Sequence, residues 1–226
     1  RTCLENSPGS RPAFGQKVVR GENVLLADPT DEGLAASYQS QRDAYERIFT
    51  RLGLDYDRYT AGTVMLEGTT LSEGRGTTRP LELFGAPDID ARRIIAEMNA
   101  LAPQWLKGCR LCDIWFQPTF HKHVGTLCNG IQFHVEGPVY DHGRFQPWRV
   151  QALAFKAIRQ LYPDYDLWRD FPYEYAFGKL AIDVINGGPG LRLWVDDPTT
   201  TAGDLDAATR PDEAAWIETR KPFLLY

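Results

Sequence analysis

Apolar residues recur at helical spacing in a few stretches of this chain and alternate with polar ones in fewer still. Leu34, Tyr38, Tyr45, Ile48, Phe49 and Leu52 fall at spacings near 3.6, with Gln39, Arg42, Asp43 and Glu46 between them. Thr30, Asp31 and Glu32 supply an N-cap and an acidic first turn, and Gly53 stands where a C-cap glycine belongs. Residues 31–52 are therefore predicted helical. Ile94, Ile95, Met98 and Leu101 define one side of a second helix over Asp90 to Leu101. A third spans Pro147 to Leu161, its proline tolerated in the first turn, and a last lies near Asp212 to Arg220. Ile131, Phe133 and Val135 alternate with Gln132, His134 and Glu136, the period-two pattern of a half-buried strand. Val24 to Ala27, Thr63 to Leu66, Leu81 to Phe84 and Arg110 to Phe120 are further extended candidates. A polar loop crowded with Gly, Thr, Ser, Glu and Arg runs from Glu67 to Pro80, and turn signals stand at Gly187-Gly188-Pro189 and Asp197-Pro198. No internal repeat is present. Strands and helices are mixed without a βαβ rhythm, so the pattern predicts an α+β fold: a mixed sheet with flanking helices, preceded by a short helical segment.

Composition narrows the function classes. With 226 residues, 43% of them hydrophobic and 24% charged, the chain is an ordinary globular one. It is long enough to fold without disulfides or a structural metal. A net charge of −5 argues against a protein that grips nucleic acid through its phosphates and leaves a neutral or sugar-like substrate open. No stretch approaches the ~20 apolar residues that cross a bilayer, so no membrane partner is expected. Cys3, Cys109, Cys112 and Cys128 are too few for a disulfide framework. The chain opens at Arg1 with no methionine and no apolar signal core, the expectation for a processed chain or a piece of a longer one. Compartment, cytoplasm or cell envelope, stays open.

The polar loop carries a resemblance. Leu66-Glu67-Gly68-Thr69-Thr70-Leu71-Ser72-Glu73-Gly74-Arg75-Gly76-Thr77-Thr78-Arg79-Pro80 resembles the signature of the NamZ-type exo-β-N-acetylmuramidases. Similarity continues through Leu83-Phe84-Gly85-Ala86-Pro87, Pro118-Thr119-Phe120-His121-Lys122-His123-Val124-Gly125 and Gly130-Ile131-Gln132-Phe133-His134-Val135, and closes on Phe223-Leu224-Leu225-Tyr226. The resemblance covers residues 59–226. It implies the carboxyl-terminal domain (60–226) of an enzyme that releases N-acetylmuramic acid from the non-reducing ends of peptidoglycan fragments, without cofactor or metal. In that family an amino-terminal Rossmann-like domain carries a Glu-Pro-Glu-His-Gly motif with the proposed catalytic glutamate. The motif is absent here, so the expected partners are a peptidoglycan-derived saccharide and such an amino-terminal domain. The alternative is a non-catalytic saccharide-binding module or an inactive fusion remnant. Residues 10–61 resemble a different family, the bacterial prolyl-tRNA synthetases, through Arg11-Pro12-Ala13-Phe14-Gly15, Arg20-Gly21-Glu22, Asp31 to Tyr38 and Asp43 to Phe49. No further synthetase motif follows. Residues 1–59 are expected to be a synthetase-like helical appendage, joined near Tyr59 by a fusion, a gene-assembly accident or an artificial join.

Hydrolysis of a glycosidic bond ordinarily takes two carboxyl groups, one protonating the leaving oxygen and one activating water or attacking directly. Glu67, Glu73 and Glu82 are the carboxylates in or beside the signature loop. Glu67, expected at a strand end beside apolar neighbours that would raise its pKa, is the catalytic candidate; the bland reading is hydrogen bonding to loop amides or an arginine. Arg75 and Arg79 are forked donors suited to the lactyl carboxylate of muramic acid, or to salt bridges with Glu67, Glu73 or Glu82. Glu73 and Thr77 join them as sugar-binding candidates. Gly74 and Gly76 read as backbone-turn residues rather than a phosphate cradle. His121 and His123, two apart on an expected strand, would face one side, but a lone Cys-x-x-Cys makes zinc a weak reading. Lys122 and His123 match the family pattern, so His123 is favoured over His121 as a sugar contact. Gln132 and His134 share the polar side of their strand, facing either the same cleft or solvent. The six tryptophans are scattered and nominate no stacking platform.

Overall fold

A computed structural model describes residues 16–19, 22–25, 63–173 and 176–221. The chain divides into two compact units, Arg1–Arg58 and Tyr59–Tyr226. In the first, strands β1 (Gln16–Val19) and β2 (Glu22–Leu25) pair antiparallel, Val19 opposite Glu22. The helix expected over 31–52, the join near Tyr59 and the closing Phe223–Tyr226 motif lie outside the described residues.

The second unit is α+β, as the pattern predicts. Its sheet has the order β3-β5-β4, formed by β3 (Leu83–Ala86), β4 (Arg110–Phe116) and β5 (Cys128–His134), and is antiparallel throughout. One face of the sheet presents Phe84, Ile131 and Phe133, the rings of Phe84 and Phe133 lying 5.7 Å apart. Helices α1 (Ala91–Leu101) and α2 (Pro147–Leu161) supply the rest of the main core. Asp90 starts α1 because its carboxylate accepts the Arg92 and Arg93 amides, and Ile94 and Met98 then fall on the buried side. Every residue from Val150 to Ile158 of α2 is buried, as expected of a helix enclosed on all sides. Leu83, Phe116 and Cys128 make a second, smaller cluster with Ile114. The alternation of β3 and β5 thus feeds apolar side chains to both faces of the sheet.

Several expectations need correcting. Thr63 to Leu66 is not a strand but the start of a 3-10 turn, Thr63–Gly68, in which Thr63 Oγ1 donates to the Leu81 carbonyl. Thr63, Met65 and Leu66 are all buried, but β3 is buried at successive positions too, so the 3-10 backbone and not burial distinguishes this segment from a strand. The strand from Arg110 ends at Phe116. The last helix, α5 (Ala202–Arg220), begins ten residues before Asp212, held by a reciprocal capping box between Thr201 and Asp204. Helices α3 (Ala181–Ile185) and α4 (Gly190–Asp196) were not anticipated.

Candidate functional site

The signature loop is anchored at three places before any polar group is positioned. Leu66 is fully buried, and Gly68 lies so close to α3 that an added Cβ would sit 2.7 Å from the Ile182 backbone. Ser72 and Gly85 exchange backbone hydrogen bonds of 2.9 and 3.0 Å, which adds the loop to the edge of β3. Gly74 and Gly76 hold φ of +71° and +79°, conformations glycine adopts without strain. A side chain at 76 would also strike Thr119.

These anchors turn Glu73 inward, and its side chain is 1% exposed. Glu73 Oε2 lies 2.7 Å from the Lys122 ammonium, itself 8% exposed, and Oε1 accepts from Arg75 Nε. Lys122 also donates to the carbonyls of Leu66 (2.7 Å) and Thr69 (3.2 Å), so one cation closes the 3-10 turn onto the loop. Burial pushes the Glu73 carboxyl up, but Lys122 and Arg75 outweigh it and the net shift is downward. Burial also draws the Lys122 ammonium down, against the pull of Glu73. Because the Glu73 pKa is depressed on folding, its stabilisation is present above the ordinary 4.5 and is lost as pH falls through the lower folded value. Denaturant unfolding across pH 5 to 2 should therefore show a loss of stability that is shallower in Glu73→Gln. An unchanged slope would place the acid sensitivity elsewhere.

Above this buried pair lies a half-exposed surface. Glu67 occupies the 3-10 turn rather than a strand end; its Oε1 accepts from Arg75 Nη2 at 3.1 Å and its Oε2 from the Tyr173 hydroxyl at 3.0 Å. An arginine and a phenol, not the expected apolar neighbours, surround it. Arg75 thus bridges Glu67 and Glu73, which raises its pKa, chiefly through the hydrogen bond to Glu73. Both carboxylates keep an arginine partner, and Arg75 Nη1 has none among the described residues.

His121 and His123 do not lie on a strand. Both sit in a turn at positive φ, 69° and 55°, so the same-side argument fails. His123 Nε2 lies 3.0 Å from the Thr70 carbonyl, whereas His121 Nδ1 approaches Glu73 Oε1 at 3.6 Å. Thr77 Oγ1 donates to the Gly74 carbonyl (2.6 Å) and closes the loop's own turn.

The remaining candidates form a separate group. Arg79 Nη1 pairs with Glu82 at 2.7 Å and with Glu136 at 3.0 Å, and His134 Nδ1 is 4.0 Å from Glu136. Gln132, half-buried, pairs with Leu83 and Cys112 across the sheet. The partners of Arg79 are well exposed, so these ion pairs contribute little to stability. The candidates thus divide into Glu67, Glu73, Arg75, Lys122 and His123 around one knot, Thr77 within the loop's own turn, Arg79 in the loop ahead of β3, and Gln132 and His134 on β5.

Tyr173 is one residue that the sequence reading missed, and Arg169, whose like charge disfavours the Lys122 ammonium, is another. Neither belongs to a motif, and Tyr173 lies 106 residues from Glu67, so no local signal marks it. Burial raises the thiols of Cys109 and Cys128 to about 11. Among the described residues, no three His, Cys, Asp or Glu side chains are grouped to hold a metal ion.

Comparison with known proteins bears on this loop. The family model for the exo-beta-N-acetylmuramidase NamZ C-terminal domain matches residues 59–226. The chain is 34% identical over 164 residues to the peptidoglycan beta-N-acetylmuramidase NamZ of Bacillus subtilis, covering 73% of this chain and 36% of that protein. A crystal structure of a DUF1343 family protein from Bacteroides fragilis superposes with a TM-score of 0.55 at 18% identity, over 74% of this chain and 41% of that one. The chain therefore spans little more than a third of the muramidase relative. It is also 76% identical over 52 residues to the proline–tRNA ligase of Leifsonia xyli, which is 21% of this chain and 8% of the ligase.

Proposed function

This chain belongs to the family of NamZ carboxyl-terminal domains, and from that premise we propose that it forms the sugar-recognising part of a peptidoglycan exo-β-N-acetylmuramidase. The observation that carries the reading is the half-exposed Glu67–Arg75 pair mounted on the buried Glu73–Lys122 ion pair. A rigid charged floor under an exposed carboxylate and guanidinium suits a site that must hold a sugar in one orientation. Arg75, with Nη1 free of described partners, supplies the donor for the lactyl carboxylate that distinguishes muramic acid from glucosamine. Glu67 accepts from a sugar hydroxyl or activates water, and Tyr173 fixes the direction of its second oxygen. Both Glu67 oxygens already receive donors, so the proton for the leaving-group oxygen comes from a second carboxyl group. We assign that acid to an amino-terminal domain of the complete enzyme. His123 acts one step back, tying the 121–125 turn to Thr70. Arg79, Glu82, Gln132 and His134 form a rim that contacts more distant parts of the saccharide.

The test is hydrolysis of a chromogenic N-acetylmuramic acid β-glycoside, with and without the separately produced amino-terminal part of the B. subtilis relative. Turnover should require the added part, and Glu67→Gln should lower kcat by about two orders of magnitude, the usual range for a positioned acid or base. Turnover by the chain alone would place the acid within residues 60–226. Full turnover in Glu67→Gln would remove Glu67 from the chemistry. Binding without turnover under any condition would favour the non-catalytic saccharide module.

A further inference from the structure

A second cleft, built from none of the signature residues, lies among the 3-10 turn Pro103–Leu106, the segment leading into α2, and α5. Its volume is about 600 Å³, within the range that accommodates a ligand of dipeptide or disaccharide size. Trp105, 3% exposed, lies in its wall, with the Arg149 guanidinium 5.9 Å from its ring centroid. Four cations line the cleft, Lys107, Arg144, Arg149 and Arg210, against two carboxylates, Asp206 and Glu213. Arg149 is consumed internally: it pairs with Asp206 at 2.8 Å and Glu213 at 2.7 Å, and donates to Thr209. Arg144 makes one well-exposed pair with Asp141 at 3.3 Å, a contact that an incoming anion displaces at little cost. Lys107 and Arg210 are exposed and have no ion pair among the described residues. An excess of two positive charges is thereby gathered on a chain of net charge −5.

A second feature adds to the field. Gln146, at the start of α2, lines the same cleft and makes no side-chain cap, and Pro147 follows it. A helix of 15 residues therefore directs uncapped first-turn N–H groups and the positive end of its dipole to the place where the cations gather. Arg149 braces α2 against α5, so the two walls hold their spacing before a ligand arrives.

We propose that this cleft binds a short acidic peptide, its carboxylates seated between Lys107, Arg210 and the amino end of α2. The site is independent of the Glu67–Arg75 surface and does not rest on the muramidase reading. It is tested by calorimetric titration of the full chain with N-acetyl-Ala-Glu-Glu, with the neutral N-acetyl-Ala-Gln-Gln amide, and with inorganic phosphate, backed by amide NMR. The acidic peptide should bind and shift the Trp148 and Arg149 amide signals. Binding should weaken about ten-fold or more in Lys107→Glu/Arg210→Glu, two exposed changes that leave the fold intact, and with added salt. Glu67→Gln should leave it unchanged. Equal binding of acidic and neutral peptides, or binding that survives the double reversal, would overturn the proposal. Phosphate binding as tightly as the peptide would overturn the peptide assignment in favour of a free-anion site.

Discussion

Lys122→Met should lower the unfolding free energy by about 3–5 kcal/mol, the usual cost of removing one partner from a buried ion pair. For a unit of this size that is a fall in Tm of roughly 6–20 °C. The magnitude follows from what Lys122 holds. Its ammonium is the partner of Glu73 Oε2 and a donor to Leu66 and Thr69, so its loss strands a buried carboxylate oxygen and takes the Thr69 carbonyl's donor, while the Leu66 carbonyl keeps Thr69 N and Oγ1. Glu73→Gln should be damaging too, because it leaves a buried ammonium without its counter-charge. Combining them should cost less than the sum of the single changes, since the two groups are in direct contact. Thermal and denaturant melts of the three variants measure this. Strict additivity would mean that the pair only fills space.

Lys156→Met should cost about 2–4 kcal/mol. Lys156 is 1% exposed within α2, and its ammonium donates to the carbonyls of Trp194 (2.9 Å) and Asp197 (2.6 Å) and to Thr200 Oγ1 (2.9 Å). It thereby caps the carboxyl end of α4, where a cation also meets the negative end of the helix dipole. The nearby Trp194 ring, 5.0 Å from the ammonium, adds a cation–π contact. Methionine fills most of the volume and makes none of these bonds. Thr200 Oγ1 lies 2.7 Å from the Trp194 carbonyl and 3.0 Å from that of Asp197, and its one proton still serves the pair, which is why the loss stays below that of a fully stranded cap. Amide hydrogen exchange should show the loss concentrated at the end of α4 and the 197–200 turn. A uniform loss of protection would contradict the capping role.

The parts of the fold legible in the sequence were those where one signal acted without competition. α1 and α2 were read to the residue or nearly so, because α1 carries its apolar residues on one side and α2 opens on a first-turn proline. β5 was visible through alternation. The 3-10 turn at Thr63–Gly68 was not, because four residues are too few to separate a strand from a tight turn and Gly68's approach to α3 is a tertiary fact. The first half of α5 was hidden for the opposite reason: only Leu205 is buried, so capping rather than periodicity sets its start. The signature loop drew attention to Glu67, Glu73 and Arg75 as residue types. What it could not reveal was that Glu73 faces inward to Lys122, or that Tyr173 completes the Glu67 site across the chain. The two histidines show the same limit, since spacing assigns a face only when the secondary structure is right.

The central claim is that the Glu67–Arg75 surface recognises the sugar acid of peptidoglycan. The direct measurement is titration of N-acetylmuramic acid into the chain, followed by calorimetry or NMR, with N-acetylglucosamine as the comparator lacking the lactyl carboxylate. The account predicts saturable binding of the muramic sugar, at least about ten-fold tighter than the glucosamine, with the preference abolished in Arg75→Gln. Equal affinity for the two sugars, or a preference that survives Arg75→Gln, would contradict it.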